Sequence, residues 1–109
     1  QMQGGASQGI GTALSEELLF DEKGAVRNPN LLDYRLPTMA DVPPIAAEIV
    51  EVPIEEAPYG TRGVGEPPIT PTSAAIANAV ADAIGARVTR IPITPERVLR
   101  ALGRLREDA

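Results

Sequence analysis

The ten residues YGTRGVGEPP, at positions 59–68, allow neither a regular helix nor a regular strand to run through them. Glycines at 60, 63 and 65 let the backbone enter positive φ and let other groups approach without meeting a Cβ. Pro67 acts in the opposite sense: its ring pushes the residue before it, Glu66, out of the α region and towards an extended conformation. Permissive backbone on one side of a carboxylate and steric restriction on the other would aim that side chain. A plain surface turn uses the same residues, so the stretch by itself is compatible with both readings.

The rest of the chain narrows what such a loop could belong to. Only three aromatic residues (Phe20, Tyr34 and Tyr59) serve 109 positions, whereas glycine and proline together supply 21. Many loops and few large core residues suit a piece that packs onto a larger body. The start at Gln1, without methionine and inside a glycine-rich segment, points the same way. Ten basic against 15 acidic residues, a formal charge of -5, leave no basic footprint for nucleic acid. Cysteine and histidine are absent, and with them the usual ligands of zinc, haem and iron–sulfur clusters. A metal would need oxygen ligands from this chain or be held by something else. No apolar stretch approaches the roughly 20 residues of a membrane span, and the N-terminus lacks a signal-peptide pattern, so the expectation is a soluble, cytoplasmic chain.

Local patterning predicts an α+β piece with about three helices and a few strands. Ile10, Leu14 and Leu18 recur at helical spacing and predict a helix at about Gln8 to Glu17, with Glu16 and Glu17 on its solvated side. Gly9-Ile10-Gly11 does not complete a dinucleotide fingerprint and follows no strand. Leu18 to Phe20 and Ala25 to Arg27 flank a turn at Gly24 and read as a hairpin. A proline-broken connector follows. Ala46 to Ile54 alternates imperfectly and is a second strand candidate, with Pro53 ending it or placing it at a sheet edge. Thr72 to Ile84 carries the strongest helix signals: Thr70 or Thr72 as cap, Pro71 in the first turn, Gly85 just past the end, and Ile76, Val80 and Ile84 as the inward stripe. A last helix is predicted over Pro95–Arg104, capped by Thr94, with Val98, Leu102 and Leu105 apolar and Arg97, Arg100, Arg104 and Arg106 solvated.

Three stretches, in this order, carry a family resemblance: QMQGGASQGIGTALSEEL at 1–18, NPNLLDYRLPTMADVP at 28–43, and YGTRGVGEPPITPTSAAIANAVADAIG at 59–85. ITPERVLRAL at 93–102 matches the usual tail. Together they cover nearly the whole chain, which resembles the C-terminal part of the molybdopterin-binding large subunit of the xanthine dehydrogenase / aldehyde oxidase family. The resemblance implies that residues 1–109 are one segment, a fragment, of such a domain. It implies an oxidoreductase with a molybdenum cofactor that hydroxylates an aldehyde or an N-heterocycle, with Glu66 of GVGEPP as the general base. Gln1 corresponds to the glutamine whose carboxamide meets the cofactor, and Gly63 and Gly65 would let cofactor and backbone come close. Gln3 stands where an acid is more usual, and Arg62 where lysine or arginine is common. No residue of this chain is implied as a metal ligand. The partners implied are the rest of the large subunit, iron–sulfur and FAD subunits or domains, and a small-molecule substrate. Gln8, Gly9 and Gly11 read as helix-entry packing, and Asp33 and Tyr34 as structural connectors. A non-catalytic remnant or assembly module with the same fold is the alternative. The isolated chain is not expected to be active.

Overall fold

The structure is a computed structural model that describes residues 1–105. Arg106, expected on the solvated side of the last helix, lies outside them. Three α-helices follow one another along the chain: α1 (Met2–Leu14), α2 (Thr72–Ile84) and α3 (Pro95–Ala101), with one turn of 3-10 helix at Pro58–Gly60. α1 organises the site's side of the molecule, because Pro37, Pro68, Thr72 and Ile93 each meet a different part of that helix.

α1 begins six residues earlier than the glycines suggested, and ends at Leu14 instead of Glu17. Glycine disfavours a helix by about 1 kcal/mol relative to alanine, and the expected start at Gln8 leaves Gly4 and Gly5 outside. Tertiary contact overrides that preference. Gly5, Gly9, Gly11 and Ala13 are the buried positions of α1, and their small size lets neighbouring backbone come within contact distance. Gly5 faces Pro68, Gly9 faces Thr72, and Gly11 faces Pro37 and the Glu16 carboxylate. At the far end the Ala13 carbonyl accepts from the Ile93 N–H at 2.6 Å. Ala13 and Ile93 are the only buried hydrophobic residues among those described.

The expected strands are absent: no strand occurs among the described residues. The hairpin survives as a single antiparallel bridge between Phe20 and Val26. Asp21 closes its turn by accepting from the N–H groups of Lys23 and Ala25, both at 2.8 Å, and Gly24 takes φ 80°. Ala46 to Ile54 carries no regular secondary structure. A strand exists only through hydrogen bonds to a neighbour, and no described segment forms a backbone ladder with this one. Its side chains Ile49, Val50 and Val52 are exposed accordingly.

α2 spans the predicted Thr72–Ile84, with Gly85 as a left-handed C-cap at φ 68° whose N–H donates to Ala81. Neither candidate threonine caps it: the N-cap position is Pro71, without a side-chain cap. α3 is shorter than expected at its C-terminal end, while Thr94 caps it as predicted by accepting from the Arg97 N–H.

Two charged groups assigned to solvent face inwards instead. Arg97 donates to the Pro92 carbonyl and to Glu17, each at 2.7 Å, and its side chain is 17% exposed. Glu16 accepts from the Tyr34 hydroxyl at 2.8 Å, while its second oxygen is buried without a partner. That hydrogen bond, followed by loss of solvent and the nearby Glu16 charge, raises the Tyr34 pKa above its ordinary value. Asn28, the one buried polar residue described, clamps the chain leaving α1 by donating to Glu17 and accepting from Leu19.

Candidate functional site

The loop carrying Glu66 is shaped on its approach side by a left-handed step. Tyr59 and Gly60 take φ 57° and 69°. A side chain is strained there for tyrosine, whereas glycine suits Gly60, whose missing Cβ would lie 2.8 Å from the Pro53 Cβ. The step folds the chain back along residues 52–54. Ile54 donates to the Gly60 carbonyl at 3.3 Å, and Arg62 Nε donates to the Val52 carbonyl at 2.5 Å. The next residues, Gly63 to Gly65, run free of regular structure.

Glu66 then opens a turn. Its carbonyl accepts from the Ile69 N–H at 2.9 Å and from the Thr70 N–H at 3.4 Å, and Pro67 and Pro68 fill the corner. The turn passes directly into α2. The Glu66 side chain is exposed, and its carboxylate has no hydrogen-bond partner among the described residues.

Gln1, remote from this loop in sequence, lies beside it in space. It is the N-cap residue of α1, its carbonyl accepting from the Gly5 N–H at 2.9 Å. A Cβ built on Gly65 would be 4.0 Å from Gln1 Nε2, with nothing else that close. Gly63 has no neighbour within 4 Å of its Cβ position. The structure therefore brings Gln1, Gly65 and Glu66 to one end of α1. An adjoining groove of about 610 Å³ runs past Met2, Val50, Val52, Tyr59, Arg62 and Gly63. Among the described residues, no cluster of three or more acidic, histidine or cysteine side chains forms a metal site.

The sequence of residues 1–43 matches the molybdopterin cofactor-binding domain. Over 99 residues the chain is 50% identical to the xanthine dehydrogenase molybdenum-binding subunit of Escherichia coli O157:H7, covering 90% of this chain and 13% of that protein. Over 104 residues it is 42% identical to the aldehyde oxidoreductase of Megalodesulfovibrio gigas, covering 94% of this chain and 11% of that one. Its backbone superposes on the crystal structure of quinoline 2-oxidoreductase from Pseudomonas putida 86 with a TM-score of 0.85 and 35% identity, over 94% of this chain and 13% of that one. The chain belongs to the molybdopterin-binding subunit family of xanthine dehydrogenases and aldehyde oxidoreductases. It spans about 11–13% of the length of these relatives.

The donors at this end of α1 suit the family's cofactor. A carboxamide both donates and accepts, as recognition of a polar heterocycle requires. Two glycines leave open space at their Cβ positions, so the backbone itself is available to a ligand. The sequence reading did not single out Gly5 or the seat it gives Pro68 at the contact between α1 and the loop. Their signal was present in the i, i+4 spacing of Gly5 and Gly9, one helical face made of hydrogen atoms alone.

Proposed function

We propose that this chain contributes part of the active site of a molybdenum-cofactor oxidoreductase that hydroxylates an aldehyde or an N-heterocycle. In this reading Glu66 is the general base, and Gln1, Gly63 and Gly65 border the cofactor. The observation that carries it is the nearness of Gln1 to Gly65, the residue before Glu66: the Gln1 Nε2 lies 4.0 Å from where a Gly65 Cβ would stand. Relatives named for xanthine, an aldehyde and quinoline support the substrate class.

When bound, the molybdenum cofactor supplies the two-electron oxidant and lowers the pKa of the water that enters the product. The chain's own groups do the rest. The Glu66 carboxylate is exposed and has no partner among the described residues, so a lone pair is free to take a proton at Oε. The turn hydrogen bonds from Ile69 and Thr70 hold the Glu66 carbonyl, and Pro67 restricts its ψ, so the carboxylate starts from a fixed Cα. Gln1 is anchored through the first helical bond of α1, so its carboxamide orients whatever it touches from a rigid support.

The missing part of the site comes from other polypeptide, namely the rest of a large subunit, with iron–sulfur and FAD partners accepting the electrons. Exposure supports this. The chain presents 8718 Å² to solvent, against about 5,800 Å² for a folded monomer of its mass. Its radius of gyration is 17.5 Å, against about 13 Å for a compact domain of this length. Leu32, Met39, Val50 and Tyr59 are all more than four-fifths exposed, a distribution that calls for a protein cover.

Glu66→Gln tests the base. It keeps the shape and hydrogen-bonding capacity but removes the proton acceptor. In the assembled enzyme, with xanthine or benzaldehyde as the probe reductant, the single-turnover reduction rate should fall by about 10²–10⁴-fold at full molybdenum occupancy. An unchanged rate would rule the role out, and lost metal would make Glu66 structural. Failure of both probes on the native enzyme would overturn the substrate class.

A further inference from the structure

We propose that Gly5 and Gly9 are positioning residues for the Glu66 loop: the bare face of α1 sets how far Glu66 stands from Gln1. The inference deepens the reading of Glu66 as base and rests on it.

The contacts are specific to the loop. A Cβ at Gly5 would lie 2.8 Å from the Pro68 Cβ and 3.5 Å from the Gly65 carbonyl oxygen. A Cβ at Gly9 would lie 2.5 Å from the Thr72 Cβ and 2.9 Å from its Cγ2. Pro68 sits in the turn that Glu66 opens and Thr72 begins α2 just beyond it, so α1 touches both the turn and its exit into that helix. The nearest atom in each case is a Cβ, which follows the backbone and cannot swing aside by changing rotamer. An added methyl must therefore move the 65–72 backbone, or α1 itself. Two further bonds hold the same seat: Thr72 Oγ1 donates to the Pro68 carbonyl at 2.7 Å, and Ser73 Oγ donates to the Gly9 carbonyl at 3.4 Å.

Gln1 rides on the same helix. The N-cap bond to Gly5 makes the carboxamide's starting point part of α1, so any change in the separation of α1 from the turn changes the Gln1–Glu66 distance. Generic helix packing would use small residues anywhere along the contact. Here they lie opposite the residues that follow the acid, while Gly4, one position away, faces open space.

The test uses the assembled enzyme that carries this segment, with xanthine or benzaldehyde as probe. The variants are Gly4→Ala, Gly5→Ala, Gly9→Ala and the size swap Gly9→Ala/Thr72→Gly. Molybdenum content, amide exchange of residues 66–72, and kcat and KM separately are measured for each. Gly9→Ala should keep its molybdenum, speed exchange at Ile69 and Thr72, and lower kcat by about 10–100-fold, as a misplacement near 1 Å does, with KM within about twofold. Gly5→Ala should act in the same direction. Gly4→Ala should leave every readout unchanged, and the swap should restore exchange and kcat together. Unchanged exchange and kcat in Gly9→Ala would overturn the proposal, as would a swap that fails to restore them or a loss of molybdenum in both single variants. The two readings fail separately: an unchanged Glu66→Gln rate removes the base, whereas unchanged loop exchange in Gly9→Ala removes the positioning.

Discussion

Arg97 is the side chain whose loss should loosen this fold most. Its guanidinium joins three pieces: α3, on which it sits, the Pro92 carbonyl before that helix, and Glu17 beyond the end of α1, both acceptors at 2.7 Å. Arg90 also reaches Glu17, but at 3.3 Å and with its side chain 75% exposed. Arg97→Ala removes two charge-assisted bonds, each worth about 1.5–3 kcal/mol when the partner stays buried. The lower end applies, because the Glu17 side chain is 25% exposed and keeps Arg90. Pro92, by contrast, is buried, and its carbonyl would lose this donor. Two bonds at that end make a loss of about 3 kcal/mol in local stability, or about 150-fold faster exchange of a protected amide. The reporter is the Ile93 N–H, which donates to Ala13 between the two buried hydrophobic residues. Native-state hydrogen exchange in the polypeptide carrying this segment reads it directly. Arg97→Lys keeps the charge but not the two-pronged geometry and should fall between native and alanine. Arg90→Ala should cost less than about 1 kcal/mol. An Arg97→Ala exchange rate within about threefold of native, or an Arg90→Ala effect equal to it, would refute this accounting.

Tyr34 predicts an alkaline limit. The fold holds its proton more tightly than the unfolded chain does, chiefly through the bond to Glu16, so this contribution is complete below about pH 10 and is lost as pH rises through the raised folded value. Tyr34→Phe should remove that alkaline step from a pH series of local exchange around residues 14–17, and a step of the same size in the variant would contradict the assignment. Gly85 should resist substitution, because Gly85→Ala places a Cβ at φ 68° and should cost about 1 kcal/mol, read as faster exchange in the last turn of α2. Exchange there equal to that of the native chain would refute it.

The parts of the fold that were legible in the sequence are those whose causes are local. α2 was bounded at both ends because Pro71 and Gly85 act on their own backbone. Thr94 was identified as a cap because the N–H it accepts from, that of Arg97, lies three residues on. α1 was misjudged at both ends because the reason for its glycines lies in Pro68 and Thr72, far along the chain. The strand at Ala46 to Ile54 was misjudged because strand formation is a property of two segments, and no described segment pairs with this one. Arg97 and Glu17 looked solvated because charge patterning on a short helix says nothing about a carboxylate 80 positions away. Of the site, Glu66 was marked out by its glycine and proline neighbours, whereas its association with Gln1 came only from the family resemblance.

The shortage of core has a consequence for the site. With Ala13 and Ile93 the only buried hydrophobic residues described, side-chain packing within this chain cannot hold the Glu66 loop still. What holds it is backbone: the left-handed step at Tyr59 and Gly60, the turn bonds to the Glu66 carbonyl, and the close seat on α1. Each of these acts between main-chain atoms or atoms one bond from them, so their geometry tolerates a sparse core better than a packed side-chain cluster would. The corresponding weakness is sensitivity to single methyl groups. A core residue can trade volume with its neighbours, but a glycine whose missing Cβ would lie 2.5 Å from another Cβ has no neighbour free to yield.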